Sequence, residues 1–193
     1  MSSDTTNEAP PLVPGLVYLK SAVKQATWES FHEWLQECEE IPWEVAIEGR
    51  RVAQWGARYA YDLQTVVRTG LDGKTDAPPL PETLREFFPD VGDEFTQCIV
   101  NEYGAGDGIP WHSDDPAFGD RVLVYCFGDE RPVLFRRSGD EQREVSLHVG
   151  HLDSYSFSGE ARHKWEHSVP TGKGSRVSVT FRSMADVSRK ALF

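Results

Sequence analysis

Ser175–Arg182, SRVSVTFR, alternates strictly: Val177, Val179 and Phe181 fall on one face of an extended chain, and Arg176, Ser178, Thr180 and Arg182 on the other. Period-2 alternation of this kind reads as a strand with one apolar side. The polar side has two readings. It can be an ordinary solvated sheet face. It can also be a clamp, because six residues of strand span roughly 20 Å and two inward-leaning arginines shorten that to the reach of a small dicarboxylate. Arginine suits the clamp, since its planar fork binds carboxylates bidentately. Ser178 and Thr180 between the arginines add hydroxyl hydrogen bonds.

Working back along the chain, RHKWEHSVP (162–170) alternates Trp165, His167 and Val169 and places His167 on one strand face with apolar neighbours. His163, between Arg162 and Lys164, reads as solvated. Further upstream lies NEYGAGDGIPWHSD (101–114). Asn101 and Tyr103 share a strand face there, glycines follow, and His112 and Asp114 sit two apart on an extended segment. Two histidines and one carboxylate can hold a ferrous ion on one face and leave positions open. His112, Asp114 and His167 are therefore the expected metal ligands. The His-x-acid pair alone is weak, because six histidines and 31 acids in 193 residues produce about one match by chance. A second match exists, His151-x-Asp153. Only a hairpin separates it from His163 or His167, and a turn beside Gly150 explains it better. A metal triad with a dicarboxylate clamp points to an oxygen-activating iron enzyme that consumes 2-oxoglutarate.

The remainder reads as short strands separated by Gly, Asp and Pro clusters: Arg51–Tyr61, Glu94–Tyr103, Arg121–Phe127, Pro132–Arg136, Glu144–Val149 and Ser154–Phe157. Two helices precede most of them. Trp28, Phe31, Leu35 and Cys38 recur at helical spacing within Ser21–Glu39. Pro81–Phe88 has proline at its first turn and Pro89 just past its end. Gly70–Pro81 reads as a turn-rich loop. Helices followed by many short strands imply a mainly β, α+β fold, a two-sheet jelly roll with N-terminal helices packed on one sheet.

At 193 residues, 39% apolar and 26% charged, the chain suits one globular domain over residues 15–193, after a polar tail at 1–14 that is expected to be mobile. No apolar run approaches the roughly 18 residues of a membrane span. The opening residues carry neither a secretory core nor an arginine before Arg50, so an intracellular protein, cytoplasmic or nuclear and not secreted, is expected. Cys38, Cys98 and Cys126 are odd in number and widely spaced, which argues against a disulfide framework or a thiolate zinc site. The net charge of −11 excludes strong non-specific nucleic-acid binding. A nucleic-acid substrate would need a local basic patch, for which Arg50, Arg51, Arg58, Arg136, Arg137 and Lys164 are the candidates. A monomer is expected.

These stretches together resemble the AlkB family of iron and 2-oxoglutarate dioxygenases. NEYGAGDGIPWHSD looks like the family's entry to its metal site, RHKWEHSV like the segment with the distal histidine, RVSVTFR like the closing R-x-x-x-T-F-R, and RRVAQWGARYAY (50–61) like its N-terminal element. The resemblance spans roughly Arg50–Arg182. It implies a double-stranded β-helix, Fe(II) on His112, Asp114 and His167, and 2-oxoglutarate and O2 as co-substrates. Arg176 would hold the distal carboxylate of 2-oxoglutarate, Arg182 would lie near its chelating end, and Asn101 and Tyr103 would support it. The implied reaction is hydroxylation or oxidative demethylation of a modified base in DNA or RNA. Trp55, Tyr59 and Tyr61 are candidates to stack the base, and Arg50 and Arg51 to meet phosphate. Pro116 stands where bacterial repair members carry an acid, and Ser178 where they carry Asn. HSDDPAF looks closer to the branch that acts on wobble uridines of transfer RNA. A protein side chain is the alternative substrate, and a non-catalytic jelly-roll binding module the remote one.

Overall fold

The computed structural model describes residues 13–46, 49–60, 65–67 and 77–185. In chain order the described elements are β1 (Leu16–Leu19), α1 (Gln25–Glu37), β2 (Trp43–Val45), β3 (Arg51–Trp55), β4 (Arg58–Ala60), β5 (Thr65–Val67), α2 (Glu82–Phe87) and β6 (Phe95–Tyr103). They continue with β7 (Ile109–His112), β8 (Phe118–Gly128), β9 (Arg131–Arg137), β10 (Glu144–Val149), β11 (Ser154–Phe157), α3 (Gly159–His163), β12 (Trp165–Val169) and β13 (Arg176–Met184). No described helix is long and apolar enough to cross a membrane.

Two antiparallel sheets make the jelly roll. The larger runs β1-β11-β8-β13-β6-β3-β2 and the smaller β10-β9-β12-β7, while β4 and β5 form a separate hairpin. Strand β13 lies at the centre of the large sheet, between β8 and β6. Its alternation explains the layering. Val179 and Phe181 are fully buried among Phe31, Leu35, Phe88, Tyr125 and Phe127, beneath α1 and α2. The opposite face looks towards the small sheet, across a second core of Val122, Val124, Val133, Phe135, Tyr155 and Phe157. Helix α1 lies flat on the large sheet because Phe31 and Leu35 share one face and Trp28 stacks on Phe127 at 4.5 Å between ring centres.

Several sequence expectations need correction. The tail cannot extend to residue 14: Val13 is buried, and the Pro14 carbonyl accepts the Ala161 amide at 2.9 Å. Residues 1–12 lie outside the described part. The run Arg51–Tyr61 is not one strand. Gly56 turns it with φ +77°, and a Cβ there would run into the Thr96 carbonyl oxygen, so only glycine fits. Strand β7 has no counterpart in the sequence reading, because Pro110 and the preceding glycines obscure it. Proline is tolerated there because β7 is an edge strand. The second His-x-Asp pair is structural. Asp153 accepts hydrogen bonds from the Tyr18 hydroxyl (2.7 Å) and from the amides of Ser21 (2.9 Å) and Gly150 (2.8 Å). Ser21 holds a left-handed φ of 52°, and the bond to Asp153 stabilises that turn between β1 and α1. Asp153→Ala strands three donors and should cost roughly 2–3 kcal/mol, read as a lower denaturant midpoint with an unchanged slope.

Candidate active site

The two histidines meet because their strands do. Residues His167 of β12 and His112 at the end of β7 are directly paired, and their ring centres lie 4.2 Å apart. The Nδ1 of His112 lies 2.9 Å from the Pro110 carbonyl. A carbonyl can only accept, so Nδ1 carries the proton and Nε2 is left with a free lone pair. Asp114 follows two residues on. One ligand atom from each of His112, Asp114 and His167 can be chosen so that all lie within 4.8 Å of one another.

Asp114 is buried. Its Oδ1 pairs with Arg182 Nη2 at 2.7 Å, and its Oδ2 is buried with no partner. A buried carboxylate oxygen without a partner is costly, and two imidazoles beside it complete a donor set suited to a divalent metal. The protonation states agree. Burial drives the His167 imidazole down to about 3, reinforced by neighbouring His112, and burial also lowers His112. Burial alone would raise Asp114, but Arg182, the two histidines and Arg162 together hold it well below the usual carboxylate range. At neutral pH the cluster is two neutral imidazoles and one carboxylate, the forms that bind metal.

These residues open onto a cavity of about 310 Å³ between the sheets. Asn101, Tyr103, Ser178, Thr180 and Arg182 line it, as do the apolar Ile99, Ile109, Val124 and Tyr155. Asn101 Nδ2 donates to Ser178 Oγ at 3.4 Å, and the Tyr103 hydroxyl lies 3.5 Å from the same oxygen. Arg176 is buried and is not among the lining residues. Its Nη1 donates to the carbonyls of Val149 (2.9 Å) and Asp129 (3.4 Å), and its Nη2 to Cys126 Sγ (2.9 Å). Its Nε is buried without a partner. The carbonyls at the adjoining strand ends hold this guanidinium.

The expected substrate residues separate. Tyr59 lines the cavity. Its backbone is held at both ends by buried Gln54, whose Oε1 accepts the Tyr59 amide (2.8 Å) and whose Nε2 donates to the Tyr59 carbonyl (3.0 Å). Trp55 is instead in the core beside Trp34 under the helices and cannot stack a substrate. Tyr61 lies outside the described residues. Arg50 is buried and lines the cavity, so it is no surface phosphate contact. Arg51 lies over Trp43 and pairs with Glu102 at 2.9 Å, away from the cavity. Of the other candidate cations Arg137 is exposed and Arg136 lies over Trp111 at the cavity, and three of them have acidic partners. Arg58 pairs with Glu44 (3.1 Å), Arg136 with Glu166 (2.7 Å) and Lys164 with Glu160 (2.8 Å).

Two buried arginines escaped the sequence reading. Arg162 of α3, five residues before His167, donates to the carbonyls of Asp114 (3.2 Å), Asp115 (2.8 Å), Phe118 (3.3 Å) and Gly119 (3.2 Å). One side chain thus ties the segment leading to one histidine to the loop that carries the aspartate. Arg131 grips the carbonyls of Gly104, Asp107 and Gly174 beside Tyr103. No motif marks a residue whose partners are all backbone.

A jelly roll with two histidines and an aspartate at one end of an internal cavity defines a class of metal-dependent oxygenase. The profile of the 2OG-Fe(II) oxygenase superfamily matches residues 14–182, and the chain belongs to that family. Membership makes it a dioxygenase, an oxidoreductase, and the proteins it is similar to carry AlkB-homologue names. It is 25% identical over 183 residues to the tRNA (carboxymethyluridine(34)-5-O)-methyltransferase alkbh8 of Xenopus tropicalis, covering 89% of this chain and 28% of that protein. It is 24% identical over 195 residues to the RNA demethylase ALKBH9B of Arabidopsis thaliana, covering 90% of this chain and 35% of that one. The chain thus spans about a third of the length of these relatives. The solved structure of OsALKBH1 shares the fold, with a TM-score of 0.69 at 18% identity, over 89% of this chain and 98% of that one.

The histidine shifts carry a pH prediction. Above the ordinary imidazole value of 6.5, His112 and His167 are neutral in the folded and the unfolded chain alike. Between 6.5 and about 3 the unfolded chain takes up a proton that folded His167 refuses, so stability falls as pH falls through that window. The unfolding midpoint of metal-free protein should therefore drop as pH is lowered from about 7 to about 5, and the slope should flatten in His167→Gln.

Proposed function

We propose that His112, Asp114 and His167 hold Fe(II), that the polar wall of the cavity holds 2-oxoglutarate, and that the enzyme oxidises a modified base in RNA. The observation that carries the metal assignment is the partnerless Oδ2 of buried Asp114 beside two neutral imidazoles. His112, Asp114 and His167 would hold the iron, which with 2-oxoglutarate and O2 would supply hydroxylation of a substrate C–H bond, with succinate and CO2 as co-products and formaldehyde released from an N-methyl group. The chain's own residues bind and orient. Arg182 keeps Asp114 ionised, and Asn101, Tyr103, Ser178 and Thr180 offer hydrogen bonds along one wall. Arg176 terminates that wall, and it reaches a distal carboxylate once its guanidinium exchanges the Cys126 thiol for it. Tyr59, with its backbone fixed by Gln54, is the aromatic available to stack a planar substrate. The RNA assignment draws on the relatives, which are named for activities on tRNA and RNA.

The net charge of −11 and the acidic partners of Arg58, Arg136 and Lys164 favour a second reading, a protein side chain, and they limit what phosphate can add in the first. Binding of single-stranded RNA should weaken with salt by only roughly one or two phosphate equivalents. The test measures succinate released from labelled 2-oxoglutarate with methylated RNA, tRNA, DNA oligonucleotides and methylated peptides, at low and moderate salt. Turnover on RNA or tRNA above the uncoupled background, abolished in His167→Ala, is the expected result. Stimulation by peptides alone would replace the RNA reading and keep the metal assignment. Tyr59→Ala should raise KM for the nucleic acid roughly tenfold, the loss of one base-stacking partner, and leave uncoupled 2-oxoglutarate consumption unchanged.

A further inference from the structure

We propose that Arg50 is a positioning residue for co-substrate binding: it fixes the side-chain amide of Asn101 so that the NH2 group faces the cavity. This rests on the 2-oxoglutarate reading above and assigns Arg50 a place in it.

Arg50 immediately precedes β3 and is only 2% exposed. Its Nε donates to Asn101 Oδ1 at 3.1 Å, and its Nη1 to the Gly108 carbonyl at 3.3 Å. A guanidinium has donors only, so it can face Asn101 through the amide oxygen and never through the nitrogen. With Oδ1 so engaged, Nδ2 must turn the other way, towards Ser178 Oγ at 3.4 Å. The geometry of the neighbours reinforces this. Val52, two residues after Arg50, pairs with Asn101 across β3 and β6, which brings the start of β3 alongside that residue. The bond to Gly108 ties the same guanidinium to the residue just before β7, the strand that bears His112.

The orientation has chemical content. A carboxylate can only accept hydrogen bonds. A wall that presents an NH2 group at residue 101 attracts one, while the flipped amide would present an oxygen and repel it. Arg50 removes the flipped state from the unliganded protein, and 2-oxoglutarate does not have to reorganise the amide on binding. Because the reorienting group is itself cationic, it also adds a positive charge to the cavity that receives the dianion.

The experiment is calorimetric titration of 2-oxoglutarate into Mn(II)-loaded protein without O2, so that no turnover occurs. Arg50→Met should weaken binding at least roughly tenfold, the worth of one charge-assisted orienting bond, with Mn(II) affinity unchanged. Arg50→Lys, which retains the charge without the two-pronged fork, should recover part of it. Asn101→Asp should also lose roughly tenfold or more, although it keeps its oxygen for Arg50, because it has no N–H to offer the ligand. Arg85→Met serves as the structural control, since Arg85 likewise grips backbone carbonyls, those of Gly92 and Phe95, away from the cavity. Binding by Arg50→Met within twofold of wild type, or an equal loss in Arg85→Met, would overturn the proposal and leave the co-substrate reading standing. No binding by wild type would overturn both. If Arg50→Met does not fold, Arg50→Lys and Asn101→Asp decide it by the same criterion.

Discussion

The ion pair between Arg182 and Asp114 is the constraint on which the rest of the site depends. It joins the central strand of the large sheet to the loop that follows the edge strand of the small one, at 2.7 Å and with both side chains nearly excluded from water. A carboxylate taken so far out of solvent without a counter-charge would protonate and cease to be a ligand. Arg182 prevents that while occupying only one of the two oxygens. Arg162 holds the same residue by its backbone carbonyl, from the helix that leads into the His167 strand. Asp114 is thereby fixed by its side chain from one sheet and by its main chain from α3. Its free oxygen is presented to the two imidazoles, which strand pairing already holds together.

Strand β13 transmits this arrangement through the whole domain. Its apolar face is the floor of the helix-covered core and its polar face the wall of the cavity, so Phe181 and Arg182 are neighbours in sequence with opposite duties. Packing of α1 and α2 against Phe181 therefore sets where Arg182 stands, and a cavity opened in that core would be felt at the metal ligands. The Asp153 cluster acts at the other end of the sheet, fastening the turn after β1 to the loop between β10 and β11 and with it the start of α1.

The parts of this structure legible in the sequence are those governed by local period. SRVSVTFR declares its two faces, and the His-x-Asp pair with a returning histidine declares its chemistry. Failures have equally specific causes. Trp55, Tyr59 and Tyr61 have the same parity and read as one face only if the strand is continuous. The turn at Gly56 breaks the alternation, sending Trp55 under the helices and Tyr59 to the cavity. Arg176 shares a face with Arg182, but strand parity says nothing about the Val149 and Asp129 carbonyls that hold its guanidinium at the strand's end. The acidic partners of the candidate basic residues escaped the sequence for a related reason. The cations are visible in the sequence, whereas partners such as Glu166 for Arg136 are set by strand register.

The central claim is that Asp114 is held ionised, with one oxygen reserved for a metal. Titration of Mn(II) into metal-free protein at neutral pH, followed by calorimetry, tests it most directly. The account predicts one ion bound per chain, and no binding at this site when Asp114 is replaced by Ala in a variant that still unfolds cooperatively. Binding that survives Asp114→Ala, or a folded wild-type protein that takes up no ion, would contradict it.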